Sequence, residues 1–243
     1  MHSHYHDLWP VDKEGFFVPF DGYLNINSAY HCEAIKCAKS LSEVTSIQGI
    51  YLRGSCILKE SRYKPLDIDL IVVTSSEIAN CNDSIFKGSS FSEMVDVAVV
   101  TEQLFKNPNT IVRFIAETRA IPLFLRNNVT PLRYRANYDT ASFLFYNSVK
   151  HLRHYLEKKA ISHNLVKWYK KKVIRLLGIE TLGRYPLFSR DIQDCVSLVR
   201  LYDAILYSQA VKILNNPTTD MFSELESILE LYNNIIEKSI FNS

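Results

Sequence analysis

The apolar pattern of this chain changes period once, near Tyr138, and that change limits the folds open to it. Before it, runs rich in Ile, Leu and Val at residues 50–52, 66–73, 95–100 and 121–125 read as strands. Helical spacings alternate with them. Ser28 can cap a helix in which Ala29, Cys32, Ile35, Ala38 and Leu41 recur at three-residue steps, and a short helix falls near residues 110–117. After Tyr138 the strand signals stop. Residues 139–157, 164–178, 191–214 and 222–237 carry helical spacing, with breaks at Gly183 and Pro186 and at Asn215-Asn216-Pro217. The expectation is an α+β chain: a mixed or antiparallel sheet with flanking helices in a domain over 1–136, then an antiparallel α-helical bundle over 137–243.

Hydrophobic residues make up 47% of the 243 and charged residues 22%, enough to bury a core without staples. Aromatic content of 12% and a formal charge of +2 argue against disorder. The longest apolar runs, around residues 70–73 and 97–100, fall far short of the roughly 20 residues a membrane-spanning helix needs. The first residues read Met-His-Ser-His-Tyr-His-Asp, with neither a basic start nor an apolar stretch, so a cytoplasmic location is expected. Five cysteines, at 32, 37, 56, 81 and 195, are an odd number without CxxC spacing, which suits reduced thiols.

The residues that carry chemistry lie between 50 and 100. Ile50-Tyr51-Leu52-Arg53 ends in Gly54-Ser55; eleven residues later comes Asp67-Ile68-Asp69-Leu70, and Asp96 interrupts a further apolar run. Side chains two apart in a strand share a face, so Asp67 and Asp69 point one way while Ile68 and Leu70 turn to a core. Adjacent carboxylates repel. A hard divalent cation relieves the repulsion, because Mg2+ prefers carboxylate oxygens and bridges to phosphates. Asp is depleted in strands, so three across two strands depart from local propensity, as functional sites do. Gly54 lets the backbone approach a ligand closely, Ser55 adds a hydroxyl, and successive amides in such a turn form an anion nest. The bland alternative makes Asp67 a turn cap and Asp96 the partner of a surface arginine, and leaves the Asp69 repeat unexplained.

This order of apolar strand, Gly-Ser, spacer, Asp-x-Asp and later strand aspartate resembles the nucleotidyltransferase superfamily. That superfamily includes DNA polymerase beta, the aminoglycoside nucleotidyltransferases and the minimal nucleotidyltransferases. The resemblance spans residues 47–100. It implies that Asp67 and Asp69 bind the Mg2+ that bridges the triphosphate, and that both hold a second Mg2+ with Asp96. Asp96 would also act as general base or orient the acceptor hydroxyl, and Gly54 and Ser55 would bind the β and γ phosphates. The implied reaction is in-line attack of an acceptor oxygen on the α phosphorus of ATP or another nucleoside triphosphate, with pyrophosphate leaving. A hydroxylated small molecule such as an aminoglycoside is the implied acceptor. Lys150 and Arg190 are further candidates for holding the nucleotide, with Lys59, Arg62 and Lys64 in the spacer. A second stretch, Lys170-Lys171-Lys172-x-x-Arg175 with Gly183-Arg184-Tyr185 and Ser189-Arg190-Asp191, is similar to a helical domain that follows the catalytic one in some bacterial members.

Residues 150–190 hold eleven Lys and Arg against two acids, a stretch that can grip triphosphate or RNA, or serve as a solvated helix face. Transfer to an RNA end or a protein hydroxyl therefore stays open, as does a nucleotide-binding regulatory module without catalysis. Gly49-x-x-x-x-Gly54 begins like a P-loop, but Ser55-Cys56 stands where Lys-Ser/Thr is required. GxGxxG, HExxH and GxSxG do not occur, so dinucleotide enzymes, zinc proteases and serine hydrolases lack support.

Overall fold

The sheet expected ahead of residue 138 is four-stranded and mixed. The computed structural model describes residues 8–20, 29–57, 67–75, 94–127, 130–145, 149, 152, 154, 162–185, 187–215 and 220–240. Its strands are β1 (Ile47–Arg53), β2 (Ile68–Thr74), β3 (Val95–Thr101) and β4 (Ile121–Leu125), in the order β3-β2-β1-β4. β1 runs antiparallel to both neighbours, whereas β2 and β3 are parallel. The chain is α+β, as its change of period indicates.

Helix α1 (Ala29–Ser42) covers one face of this sheet, packing Ala34, Cys37, Ala38 and Leu41 on Ile50, Leu52, Ile68, Leu70 and Val72. The apolar face differs from the one expected. Cys32 and Ile35 are exposed, and His31, Ala34, Cys37, Ala38 and Leu41 are buried instead. A strict three-residue step drifts by about 60° each time round a helix of 3.6 residues per turn, so it cannot stay on one face. The mixed steps of three and four do. At the end of the helix, Arg126 donates from Nε to the Ile47 carbonyl at 2.9 Å and from Nη2 to the Ser42 carbonyl at 3.0 Å. The guanidinium thereby satisfies acceptors that a helix end leaves over.

The opposite face takes the alternate side chains. Tyr51 meets Phe105 of α2 (Glu102–Lys106) with ring centroids 5.3 Å apart, and α3 (Ile111–Thr118) brings in Phe114 and Arg113. Thr101 and Thr110 cap α2 and α3, each accepting a backbone N–H from the first turn. Arg113 is 2% exposed, a costly place for a cation unless it is paired. It pairs with Glu117 at 2.5 Å, donates to the Thr130 carbonyl at 2.7 Å and lies over the Phe105 ring.

Beyond Arg135 the described elements are helices α4 (Tyr138–Phe145), α5 (His163–Arg184), α6 (Ile192–Val199), α7 (Ala204–Asn215) and α8 (Met221–Ile240). Residues 191–214 form two helices rather than the single one expected. Asp203 accepts the amides of Ile205 and Leu206 and starts α7, a capping signal inside an otherwise continuous pattern. Most of the expected helix beyond residue 145, and the capping Ser28, lie outside the described residues. Gly178, in mid-α5, has no room for a side chain: a Cβ would stand 2.5 Å from the Ser189 carbonyl oxygen.

The chain divides into two units, Val18–Tyr134 and a second that joins Met1–Phe17 to Arg135–Ser243. The second is thus drawn from both ends of the sequence rather than from 137–243 alone. The reason is aromatic. Trp9 packs edge-on to Phe17 at 5.8 Å and to Phe188 at 5.1 Å, and its amide donates to the Phe188 carbonyl at 2.9 Å. Among the described residues, no helix is long and apolar enough to cross a membrane.

Candidate functional site

The candidate residues gather where β1 ends and where β2 and β3 begin. Antiparallel register sets Arg53 opposite Asp69, and parallel register sets Asp69 beside Asp96. Ile50 and Leu52 face α1, so Arg53, Asp69 and Asp96 belong to the other side of the sheet. Asp67 stands one residue ahead of β2, exposed, and Asp96 is exposed as well. Asp69 is half-buried, its Oδ1 3.4 Å from Arg53 Nη2. That contact is single-pronged and long beside the 2.7–2.9 Å usual for charge-assisted bonds. The Arg53 Nε is buried and has no hydrogen-bond partner.

Gly54 follows at φ +85°, a left-handed conformation that suits glycine. A Cβ there would run into Asp69 Oδ2, so the glycine is what lets the carboxylate sit against the turn. Ser55–Ile57 then make one 3-10 turn. Two bonds pin it. Cys56 Sγ donates to the Arg53 carbonyl at 3.3 Å, and burial pushes this thiol up to about 11. From α1, the buried His31 places Nε2 2.8 Å from the Cys56 carbonyl; a carbonyl only accepts, so Nε2 carries the proton.

The resemblance implies Mg2+, and three observations bear on whether these residues suit it. Hard oxygen donors stand side by side on β2 and β3, an orphaned arginine nitrogen awaits an acceptor, and the cradle at Gly54 is held open by the lack of a Cβ. In donor type the residues fit the ion. Among the described residues, though, no group of three His, Cys, Asp or Glu side chains converges as a ready metal cage.

The other sequence candidates do not join this group. Lys150 lies outside the described residues, as do Lys59, Arg62 and Lys64. Arg190 belongs to the helical unit, where it is half-buried and its carbonyl accepts from Arg175 Nε at 2.9 Å. Several other cations of the basic stretch are engaged in that unit too. Lys170 pairs with Glu224 at 2.8 Å, Lys172 lies over Trp168 and Arg184 over Tyr202. A small recess between Gln48, Tyr51, Phe105 and Lys106 sits toward the opposite end of the sheet and holds no carboxylate of the trio.

Two residues at the site went unmarked in the sequence. Arg53 reads as an ordinary strand end until the β1–β2 register sets it against Asp69. His31 reads as part of a helix surface until the true apolar face of α1 is known. A cation adjoining Gly-Ser was the available signal for the first; the second had none.

No family model matches the chain, and no curated protein matches it. Among solved structures, the chain is similar to the spectinomycin adenyltransferase AAD(9) of Enterococcus faecialis, crystallised with ATP and spectinomycin. The TM-score is 0.48 at 12% identity, covering 84% of this chain and 99% of that one. A likeness of that degree assigns neither a residue nor a reaction.

Proposed function

We propose that this chain is a nucleotidyltransferase that moves a nucleoside monophosphate, from ATP or another triphosphate, onto a hydroxyl of a small acceptor. The observation that carries the reading is the register that sets Asp69 beside Asp96 and opposite Arg53, one residue ahead of a left-handed glycine. Carboxylates gathered at one end of a sheet, next to a turn suited to anions, are what phosphoryl chemistry requires. Positioning and charge neutralisation supply most of its rate.

In this reading the amides and hydroxyl of Gly54 and Ser55 hold the outer phosphates, and His31 and Cys56 keep that turn in shape. Asp67 and Asp69 hold Mg2+, with Asp96 as a further ligand. A bound Mg2+ neutralises the phosphate oxygens and favours in-line displacement of pyrophosphate. Asp96, exposed and beside Asp69, takes the acceptor's proton or orients its hydroxyl.

The test is pyrophosphate release by the 243-residue chain with Mg2+, each nucleoside triphosphate and a panel of hydroxylated acceptors that begins with spectinomycin. Release is expected with at least one pair, and Asp69→Asn and Asp96→Asn are each expected to lower it by about a hundredfold or more. Their thermal midpoints should stay within a few degrees of wild type. Wild-type turnover in either variant sinks the assignment.

A second reading, a nucleotide-binding module without catalysis, is favoured by the absence of a converged three-carboxylate group among the described residues. Its mark would be nucleotide binding with no pyrophosphate from any pair. Transfer to RNA has no comparable support: within the described basic stretch Lys170 is neutralised by Glu224, and Arg175 and Arg184 are engaged inside their own unit.

A further inference from the structure

Arg53 is bound to Asp69 in a way that invites exchange. The pair is made through one nitrogen at 3.4 Å, with side-chain exposures of 29% and 22%, and Nε is left buried without an acceptor. A cation meant to lock a carboxylate permanently would present the two-pronged fork, which is shorter and stronger. The contrast with Arg113 is one of distance: it too uses a single nitrogen and has unpartnered Nε and Nη1, but it holds Glu117 at 2.5 Å, against 3.4 Å here. Asp69 has a competing call on its charge, since its parallel neighbour in register is another carboxylate, Asp96. An arginine beside two acids suppresses their repulsion, and it also opposes any second cation that approaches them. The next residue along from Arg53 is Gly54, whose turn is the anion-binding part of the site.

We propose that Arg53 is an exchangeable counter-ion. While Asp69 carries no metal, Arg53 neutralises it; when a divalent cation takes Asp69, Arg53 is released to the phosphate chain held at Gly54 and Ser55. The unpartnered Nε–H is the donor that this second position satisfies. The inference rests on the nucleotidyltransferase reading of the site and assigns to this arginine a role in both states. It supplies the positive charge on the triphosphate from within the motif, with no cation needed from Lys150 or Arg190.

The experiment measures binding rather than turnover. Mn2+ is titrated into wild type, Asp69→Asn and Arg53→Met, with free Mn2+ followed by its electron paramagnetic resonance, first without nucleotide. ATP binding is then measured calorimetrically at saturating Mg2+, the state in which Arg53 is released to the phosphates. Arg53→Met keeps the length of the side chain and removes its charge, so it should bind Mn2+ about tenfold tighter than wild type and ATP about tenfold more weakly. A residue that merely braced the sheet would weaken both ligands together. Arg53→Lys keeps the charge and should shift both affinities in the same directions by less; it carries the test alone if the Met variant fails to fold. Unchanged or weaker Mn2+ binding in the Arg53 variants overturns the exchange, while a wild-type Mn2+ site that Asp69→Asn removes leaves the reading of the acids standing. Absence of any such site in wild type overturns both.

Discussion

The two units treat their acids in opposite ways. In the helical unit the carboxylates at helix starts have structural work. Asp191 accepts the amides of Gln193 and Asp194, and Asp203 caps α7 and pairs with Lys238. Asp220 caps α8, and Glu224 pairs with Lys170. At the open end of the sheet, Asp67 and Asp96 have neither a hydrogen bond nor an ion pair among the described residues, and the ion pair of Asp69 with Arg53 is long, at 3.4 Å. An acid that caps a helix explains itself. Three that cap nothing, in a strand context that disfavours them, direct attention to a ligand.

The comparison breaks most readily at its two crowded glycines. Gly178→Ala should destabilise the chain by about 2 kcal/mol, because the obstacle to its Cβ is the Ser189 backbone, which cannot swing aside. Gly54→Ala should cost about 1 kcal/mol from its left-handed backbone, and its main effect should be lost nucleotide binding as the Asp69 carboxylate is displaced. Denaturant unfolding and ATP titration on both variants check this. Equal loss of binding in the two would erase the distinction between the units.

A smaller effect separates capping acids from free ones. Asp203→Asn removes the charge that Lys238 pairs with, and should lower stability by about 1 kcal/mol. Asp96→Asn should leave the unfolding midpoint unchanged or slightly raised, since it relieves repulsion at Asp69. A marked drop in the second variant would show that Asp96 has structural work after all.

The smallest effect is one of sign with pH. Burial draws the Asp203 carboxyl upward, but the Lys238 bond and the amides of Leu206 and Ile205 outweigh it, so it titrates below the usual carboxylate value. Its contribution is present above that usual value and is lost as pH falls through the lowered one. Burial holds Glu117 above the usual value against the pull of Arg113. The folded chain then keeps that proton longer than the unfolded one, and the stability it contributes is lost as pH rises from the ordinary value to the raised one. Between about pH 3 and 7, the wild-type advantage over Asp203→Asn should therefore grow with pH, and that over Glu117→Gln should shrink. Matching slopes would contradict the pairing seen for one of the two.

Local chemistry made much of this legible in the sequence. Runs rich in Ile, Leu and Val pointed to β1 to β4, a short helix was expected near residues 110–117 where α3 lies, Gly54-Ser55 read as a tight turn, and Asp67, Asp69 and Asp96 stood out against strand propensity. What depended on long-range register did not. Arg53 needed the antiparallel pairing of β1 with β2, and His31 needed the face that α1 turns to the sheet. The attachment of residues 8–17 to the helices depends on Trp9 meeting Phe188, a contact that no local spacing encodes.

That last attachment gives the chain an order of assembly. Phe16 bridges to Arg135 and the Ala136 amide donates to the Gly15 carbonyl, so the two stretches of chain that flank residues 18–134 are joined to each other. On a ribosome every strand emerges before Phe188 does, so until then Trp9 has only Phe17 of its two ring partners to pack on. Of the two tryptophans, Trp9 is 5% exposed and Trp168 44%, so a change in the emission of the sheltered indole would time the moment at which Trp9 meets Phe188.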